Sequence, residues 1–156
     1  GSRPPLDLCA PPGHAAPGKY GGWIMMFDGV NLIAVAAAAI GSFVFGSLWY
    51  GVLGKPWMKA AALTAAQTRP DPVTLGIAFF CQLVMAFVFA GIIYHSGSSG
   101  LRAGIISALM IWIGIVMTTQ IVNHRFQGKP WSLTLIDGGH WLGVLLVQGV
   151  LIGLLS

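Results

Sequence analysis

The residues most able to do chemistry stand close together near the end of this sequence. Asp137 and His140 are three positions apart, so on a helix they share one face, which the intervening glycines leave open to a neighbour. In an apolar setting such a pair could bind a proton or a cation. Alternatively, Asp137 stands about one to two turns inside its predicted helix and could form a structural ion pair with Arg125 or Lys129. We favour the structural pairing.

Three polar side chains, those of Gln120, Asn123 and His124, precede this pair in the sequence. They could line a hydrophilic cavity together with Asp137, because the connecting loop is short; equally, such amides and hydroxyls could hydrogen-bond neighbouring helices. For Gln82 and Gln148, each alone in an apolar run, we expect hydrogen bonds between helices. The candidate residues for a ligand or ion site are Gln120, Asn123, His124, Asp137 and His140.

The sequence Gly-Lys-Pro-Trp occurs twice, at 54–57 and 128–131, each time at the end of an apolar run. Lys55 and Trp57 in the first copy, and Lys129 and Trp131 in the second, could hold lipid head groups in a basic pocket with aromatic walls. Lysine side chains that reach from the membrane to its surface explain the same pattern. The repeat predicts two related helical hairpins.

Composition indicates the elements that position these residues. Of the 156 residues, 56% are hydrophobic and only 8% are charged, with a mean hydropathy of +0.80. About 25% of residues are charged in soluble domains, so these values predict an integral membrane protein. A crossing needs about 20 apolar residues, which leaves room for four spans and no separate soluble domain.

The apolar runs place the four spans. We predict helices at about Val30–Tyr50, Val73–Tyr94, Arg102–Asn123 and from Pro130 to the C-terminus. The connection from Lys55 to Pro72 is the longest and is expected to hold a short helix beginning at Trp57. Residues 1–25 form a tail rich in proline and glycine, Gly1-Ser2 resembles a processing scar, and Met25 or Met26 is the expected native start. Residues 26–156 then form one transmembrane domain.

Small residues at regular spacing predict where helices approach closely. The first span carries a strip in which a small side chain recurs every fourth position, and the fourth span carries two glycine pairs. The predicted packing positions are Ala34, Ala38, Ser42, Gly46, Gly139, Gly143, Gly149 and Gly153.

Charge in the connections predicts the orientation. Lys55, Lys59, Arg69, Arg125 and Lys129 lie in the first and third connections, against Arg102 alone in the second. Since cytoplasmic loops carry an excess of Lys and Arg, both Gly-Lys-Pro-Trp segments are expected in the cytoplasm and both termini outside it. The predicted location is a bacterial-type inner membrane.

Several of these motifs resemble a known family. The segments Gly46-Ser47-Leu48-Trp49-Tyr50-Gly51, Gly54-Lys55-Pro56-Trp57-Met58, Gly128-Lys129-Pro130-Trp131 and Leu135-Ile136-Asp137-Gly138-Gly139-His140, together with Asn123, resemble the bacterial membrane family catalogued as domain of unknown function 1761. The resemblance covers about Asp28 to Ser156. It implies a four-span membrane protein and assigns no activity. His124-Arg125 departs from the less basic pair expected there.

The remaining observations narrow the function classes. The sequence has no nucleophile elbow, paired carboxylates, metal-ligand spacing or phosphate loop, so we expect neither an enzyme nor a cofactor or metal. Its eight Lys and Arg residues are scattered and do not predict binding to nucleic acid. We expect an accessory or scaffolding subunit that packs on other membrane subunits or on copies of itself among membrane lipids. The alternative is a small proton- or cation-linked transporter or channel that uses Asn123, Asp137 and His140.

Overall fold

The structure, a computed structural model, describes residues 29–155, and within this range it contains helices and no strand. The predicted tail and native start lie outside the described residues. The first span is Leu32–Ala61 and the second is Pro72–His95. The third consists of an α-helix at Gly100–Ile111, a π-helical segment at Trp112–Met117 and an α-helix at Thr118–Phe126. The fourth is Trp131–Leu155.

All four of these helical stretches are long and apolar enough to cross a membrane. They contain between 24 and 30 residues, and a helix of about 20 residues spans the hydrocarbon core. The predicted all-α membrane fold with four spans is therefore confirmed.

The first span is longer than predicted. The expected break between Tyr50 and Lys55 and the separate short helix are wrong, because one helix continues through Pro56 to Ala61. Proline lacks a backbone N–H and therefore leaves one helical carbonyl without its bond. Near a membrane surface water can satisfy that carbonyl, so the helix tolerates the proline there. The helix ends at Ala62, whose φ of 60° is left-handed.

Side chains cap the starts of two spans. The amide oxygen of Asn31 accepts hydrogen bonds from the backbone N–H groups of Ile33 and Ala34 at 3.0 and 3.2 Å. The Asn31 Nδ2 also donates to the carbonyl of Leu155 at 2.7 Å, which fixes the beginning of the first span against the end of the fourth. Asp71 caps the second span in the same way, and Pro72 occupies its first turn.

The first and fourth spans run antiparallel, and the contacts at their two ends show this. Asn31 meets Leu155 at one end, and at the other Lys129 Nζ donates to the carbonyl of Ala61 at 3.1 Å. Both Gly-Lys-Pro-Trp segments therefore lie at the same end of the bundle. Their conformations differ, because residues 54–57 are helical whereas Gly128 has a φ of +65° in a loop. The duplication of a hairpin stays a prediction.

The third and fourth spans meet backbone to backbone. A side-chain carbon at Gly149 would lie 2.5 Å from the carbonyl oxygen of Gly104, and one at Gly153 would lie 2.6 Å from that of Gly100. Only glycine permits so close an approach. The other predicted pair packs on the first span: a side-chain carbon at Gly139 would meet the ring of Trp49, and one at Gly143 would meet that of Phe45.

The small-residue strip of the first span is buried inside the chain itself. Ala34, Ala38 and Ser42 are fully buried, and Gly46 faces His140 of the fourth span. The second and fourth spans of the same molecule thus already cover this strip. The strip therefore packs within the molecule and offers no surface to another subunit.

Candidate functional site

The Asp137 carboxylate lies at the centre of a polar cluster at the end of the bundle that carries both Gly-Lys-Pro-Trp segments. Its Oδ1 accepts hydrogen bonds from the hydroxyl of Tyr50 at 3.0 Å and from the indole Nε1 of Trp57 at 2.9 Å. Its Oδ2 lies 3.8 Å from His124 Nε2. Three side chains from two other spans therefore meet one carboxylate.

His124 and Thr134 form the second part of the cluster. The Nδ1 of His124 lies 3.0 Å from the Thr134 hydroxyl, which is fully buried. The imidazole thus contacts Asp137 with one nitrogen and Thr134 with the other. Arg125 Nη2 also donates to Thr134 at 3.2 Å, so the end of the third span is joined to the first turn of the fourth.

The expected ion pair of Asp137 with Arg125 or Lys129 is wrong. The guanidinium of Arg125 folds over the ring of Trp131, 4.0 Å from its centre, and donates to the carbonyl of Lys129 at 2.5 Å. Lys129 reaches away to Ala61 at the end of the first span. A helix C-terminus has unpaired carbonyl groups and partial negative charge, which attract a cation. Both cations are therefore engaged by backbone carbonyls.

His140 lies deeper in the bundle and does not share the hydrogen bonds of Asp137. It is 6% exposed, and its Nδ1 has no hydrogen-bond partner among residues 29–155. The ring of Tyr50 lies 4.8 Å from that of His140, measured between centres. Tyr50 therefore contacts both predicted site residues, through its hydroxyl and through its ring.

A separate buried hydrogen-bond network lies nearer the middle of the bundle. Gln148 Nε2 donates to the Ser42 hydroxyl at 3.0 Å and to the carbonyl of Gln82 at 3.3 Å. The hydroxyl of Ser42 donates to Gln82 Oε1 at 2.5 Å. The network joins the first, second and fourth spans, so the interhelical hydrogen bonds predicted for both glutamines are confirmed.

Two further candidate residues of the third span differ in position. Gln120 faces the fourth span, where its Oε1 is buried near Gly138 and has no hydrogen-bond partner in the part of the chain that the structure describes. Asn123 is exposed on the outer face of the third span. The structure therefore brings His124 to Asp137, links His140 to it through Tyr50, and leaves Asn123 outside the cluster.

The four residues predicted to bind lipid head groups lie in different environments. Trp57 turns inward to Asp137, so its indole N–H is not available to a head group. Lys129 is occupied by the carbonyl of Ala61. Lys55 and Trp131 are exposed, and Trp131 keeps 56% of its surface accessible.

Tyr50, Thr134 and Trp112 are the site residues that the sequence analysis did not select. Trp112 Nε1 donates to the carbonyl of Gly138 at 2.8 Å at the start of the π-helical segment. For Tyr50 a signal existed, because it continues the strip of every fourth residue that includes Ser42 and Gly46. Thr134 and Trp112 carry no comparable signal, since both act through the tertiary contact of the third and fourth spans.

The chemistry available at the cluster is proton binding and hydrogen bonding. Within residues 29–155 no three His, Cys, Asp or Glu side chains come together in a way that could hold a metal ion. Two open grooves on the surface are mainly apolar and lie away from Asp137, one beside Leu32 and Phe87 and one beside Val88 and Ser96.

Comparison with known proteins gives one match. The family model described as "Protein of unknown function (DUF1761)" matches residues 33–153. No curated protein and no solved structure matches the chain.

Proposed function

We propose that this chain, which belongs to the family DUF1761, is a small non-enzymatic membrane protein that packs laterally as an accessory or scaffolding subunit. It would do so in a larger membrane complex or in a homo-oligomer, without a cofactor. The observation that carries this proposal is the open outer face of the third span. In its most apolar stretch only 6% of the residues are buried inside the protein, against 33% to 44% of the residues in the corresponding stretches of the other three spans.

Polar side chains on this face favour a protein neighbour over lipid. Thr119 and Asn123 are both exposed and stand four positions apart, so they share one face of the helix. Gly114, one turn further in, has open space where a side chain would lie. Small and hydrogen-bonding residues are enriched where membrane helices associate, whereas lipid chains offer them no partner. This face is therefore our candidate contact surface.

The satisfied carboxylate of Asp137 supports the same proposal. Tyr50 and Trp57 hold it from the first span, so its charge stabilises the contact between two spans. A carboxylate that binds a transported cation must exchange its ligands during each cycle. The two hydrogen bonds from aromatic side chains of the same chain instead favour a structural role, in which Asp137 holds the first and fourth spans together.

Cross-linking in native membranes tests the contact surface. A photoreactive amino acid at Asn123 should give covalent adducts with the mass of a protein, either a second copy or another subunit. The matched control is Ile77, which is 59% exposed on the second span near the same end of the bundle. It should give lipid adducts. Lipid adducts alone at both positions would contradict the proposal.

A second candidate function is proton- or cation-linked transport through Asp137 and His140, with Asn123 at the entrance. It is favoured by the partial exposure of the Asp137 and His124 side chains, 17% and 14%, which lets water reach the cluster. The contact of Tyr50 with both Asp137 and His140 extends this polar region inward. A flux measurement separates this candidate from lateral packing.

A further inference from the structure

We propose that the end of the first span binds one anionic phospholipid. The phosphate of this lipid lies between the ammonium groups of Lys55 and Lys59, and its acyl chains follow exposed apolar side chains of the same helix. The site is separate from the contact surface on the third span. Trp57 and Lys129, which the sequence repeat suggested for a head-group pocket, do not belong to it, because both are engaged within the chain.

The first span is too long to lie entirely within the hydrocarbon core of a membrane. Its 30 residues form a helix of about 45 Å, whereas the core is about 30 Å thick. The hydrogen bond of Asn31 to Leu155 holds its beginning level with the end of the fourth span, so most of the excess lies at the Ala61 end. Lys55 and Lys59 are in this last part of the helix, at the level of the lipid head groups.

The two lysines share a helix face with an exposed apolar strip. Leu48 and Val52 precede them at helical spacing and are 65% and 80% exposed. Lys55 and Lys59 are four positions apart, which places their Cβ atoms about 5 to 6 Å from each other, so both ammonium groups can reach one phosphate. On the same face a side-chain carbon at Gly51 would meet nothing within 4 Å, which leaves a shallow recess. The face therefore offers cations to a head group and an apolar surface to acyl chains.

Neither lysine has an anionic partner in the part of the chain that the structure describes. The acidic side chains there are Asp71, which caps the second span, and Asp137, which accepts from two aromatic side chains. The ion pair found among these residues joins Asp137 to a histidine. The charges of Lys55 and Lys59 are thus not neutralised by the bundle, and an anion from the surrounding membrane complements them.

The end of the helix does not use these ammonium groups either. Lysine side chains near a helix C-terminus can bind the free backbone carbonyls of the last turn. Here the carbonyls of Met58 and Lys59 already accept from backbone N–H groups of the residues that follow the helix. The carbonyl of Ala61 accepts from Lys129 Nζ at 3.1 Å. The side chains of Lys55 and Lys59 are exposed and remain available to an external anion.

An anionic phospholipid is the ligand that matches both halves of this face. A zwitterionic lipid carries its own positive charge beside the phosphate, so it gains less from two lysines. A soluble anion such as inorganic phosphate has no apolar part to cover Leu48 and Val52. A phospholipid with net negative charge uses the cations through its head group and the apolar strip through its acyl chains.

Native mass spectrometry of the protein in detergent, titrated with phosphatidylglycerol, measures the affinity for the first bound lipid. Lys55→Gln combined with Lys59→Gln should weaken this affinity roughly tenfold, because each lysine adds electrostatic attraction to an anionic head group. The matched control combines Arg69→Gln with Arg102→Gln, which removes the same charge at exposed positions outside the face and should leave the affinity nearly unchanged. Equal weakening in both double variants would show general charge attraction and overturn the site.

Two further comparisons test the acyl strip and the identity of the ligand. Gly51→Leu fills the recess without changing the charge and should weaken binding, whereas Gly76→Leu, at an open position on the second span, should not. Unchanged binding by Gly51→Leu would exclude the acyl strip from the site. Phosphatidylcholine should bind more weakly than phosphatidylglycerol, and inorganic phosphate should not displace the lipid. Equal binding of both lipids, or displacement by phosphate, would contradict an anionic phospholipid as the ligand.

Discussion

The hydroxyl of Tyr50 lies 3.0 Å from Asp137 Oδ1 and donates a hydrogen bond that joins the first span to the fourth. Removing it should destabilise the bundle, because hydrogen bonds between membrane helices contribute about 0.6 kcal/mol on average and those to charged groups up to about 3 kcal/mol. We expect Tyr50→Phe to lower the melting temperature measured by circular dichroism in detergent. Tyr94→Phe, whose hydroxyl makes no hydrogen bond within residues 29–155, is the control. Equal melting temperatures in both variants would contradict this role of Tyr50.

The backbone contact of Gly149 with Gly104 predicts a strong effect of a single methyl group. In Gly149→Ala the new carbon would lie 2.5 Å from a carbonyl oxygen, so the third and fourth spans must separate. Overpacking of this kind costs about 1 to 3 kcal/mol. Gly76→Ala, with open space at its position, should be neutral or raise stability by up to about 1 kcal/mol. Thermal unfolding of both variants measures the difference, and an unchanged Gly149→Ala would disprove the close approach.

The cap at Asp71 predicts a dependence of stability on pH. The backbone N–H of Thr74, and its side chain, lower the pKa of this carboxyl below 3.8 by hydrogen bonding to its charged form. A group whose pKa is lower in the folded state stabilises the fold above its unfolded-state pKa. That stabilisation is lost as the pH falls through the folded-state value. Between about pH 5 and pH 2, the melting temperature of the wild type should therefore decrease more steeply than that of Asp71→Asn. Parallel curves would contradict the prediction.

The direction of insertion is a separate prediction. Lys55, Lys59, Arg69, Arg125 and Lys129 favour a cytoplasmic position for the end of the bundle that contains both Gly-Lys-Pro-Trp segments. Single cysteines at Gln67 and at Ser98, in a background without Cys9 and Cys81, report on the two ends. An impermeant thiol reagent added to intact cells should label the cysteine at position 98 and spare the one at 67. The reverse pattern would show the opposite orientation.

The sequence was sufficient for the spans but not for the partners of the polar residues. Apolar runs of about 20 residues depend only on local composition, and they located all four helices. The first boundary was missed because the apolar run ends near Tyr50, whereas the helix continues through Pro56 to Ala61. The hydrogen-bond partners of Asp137 could not be predicted from the sequence. Arg125 and Lys129 are close to it along the chain, whereas the donors that contact it, Tyr50 and Trp57, are 87 and 80 residues away. Only the antiparallel register of the first and fourth spans decides between them.

The small-residue strip of the first span is a second case in which the sequence predicts a contact but not the partner. Spacing every fourth position indicates close helix approach, yet it does not say whether the neighbour belongs to the same chain. Ser42 and Gly46 turned out to face Gln148 and His140 within the molecule. The association that we propose therefore uses another surface, the exposed face of the third span.

The most direct test of the proposed function is to measure stability and proton flux on the same preparation of Asp137→Asn. The amide keeps the size of the side chain and still accepts from Tyr50 and Trp57, but it removes the charge that strengthens both bonds by about 1 kcal/mol or more. We predict a lower melting temperature and, in liposomes with an imposed pH gradient, no dissipation by either the wild type or the variant. Dissipation by the wild type that disappears in an equally stable Asp137→Asn variant would contradict lateral packing as the function and establish transport in its place.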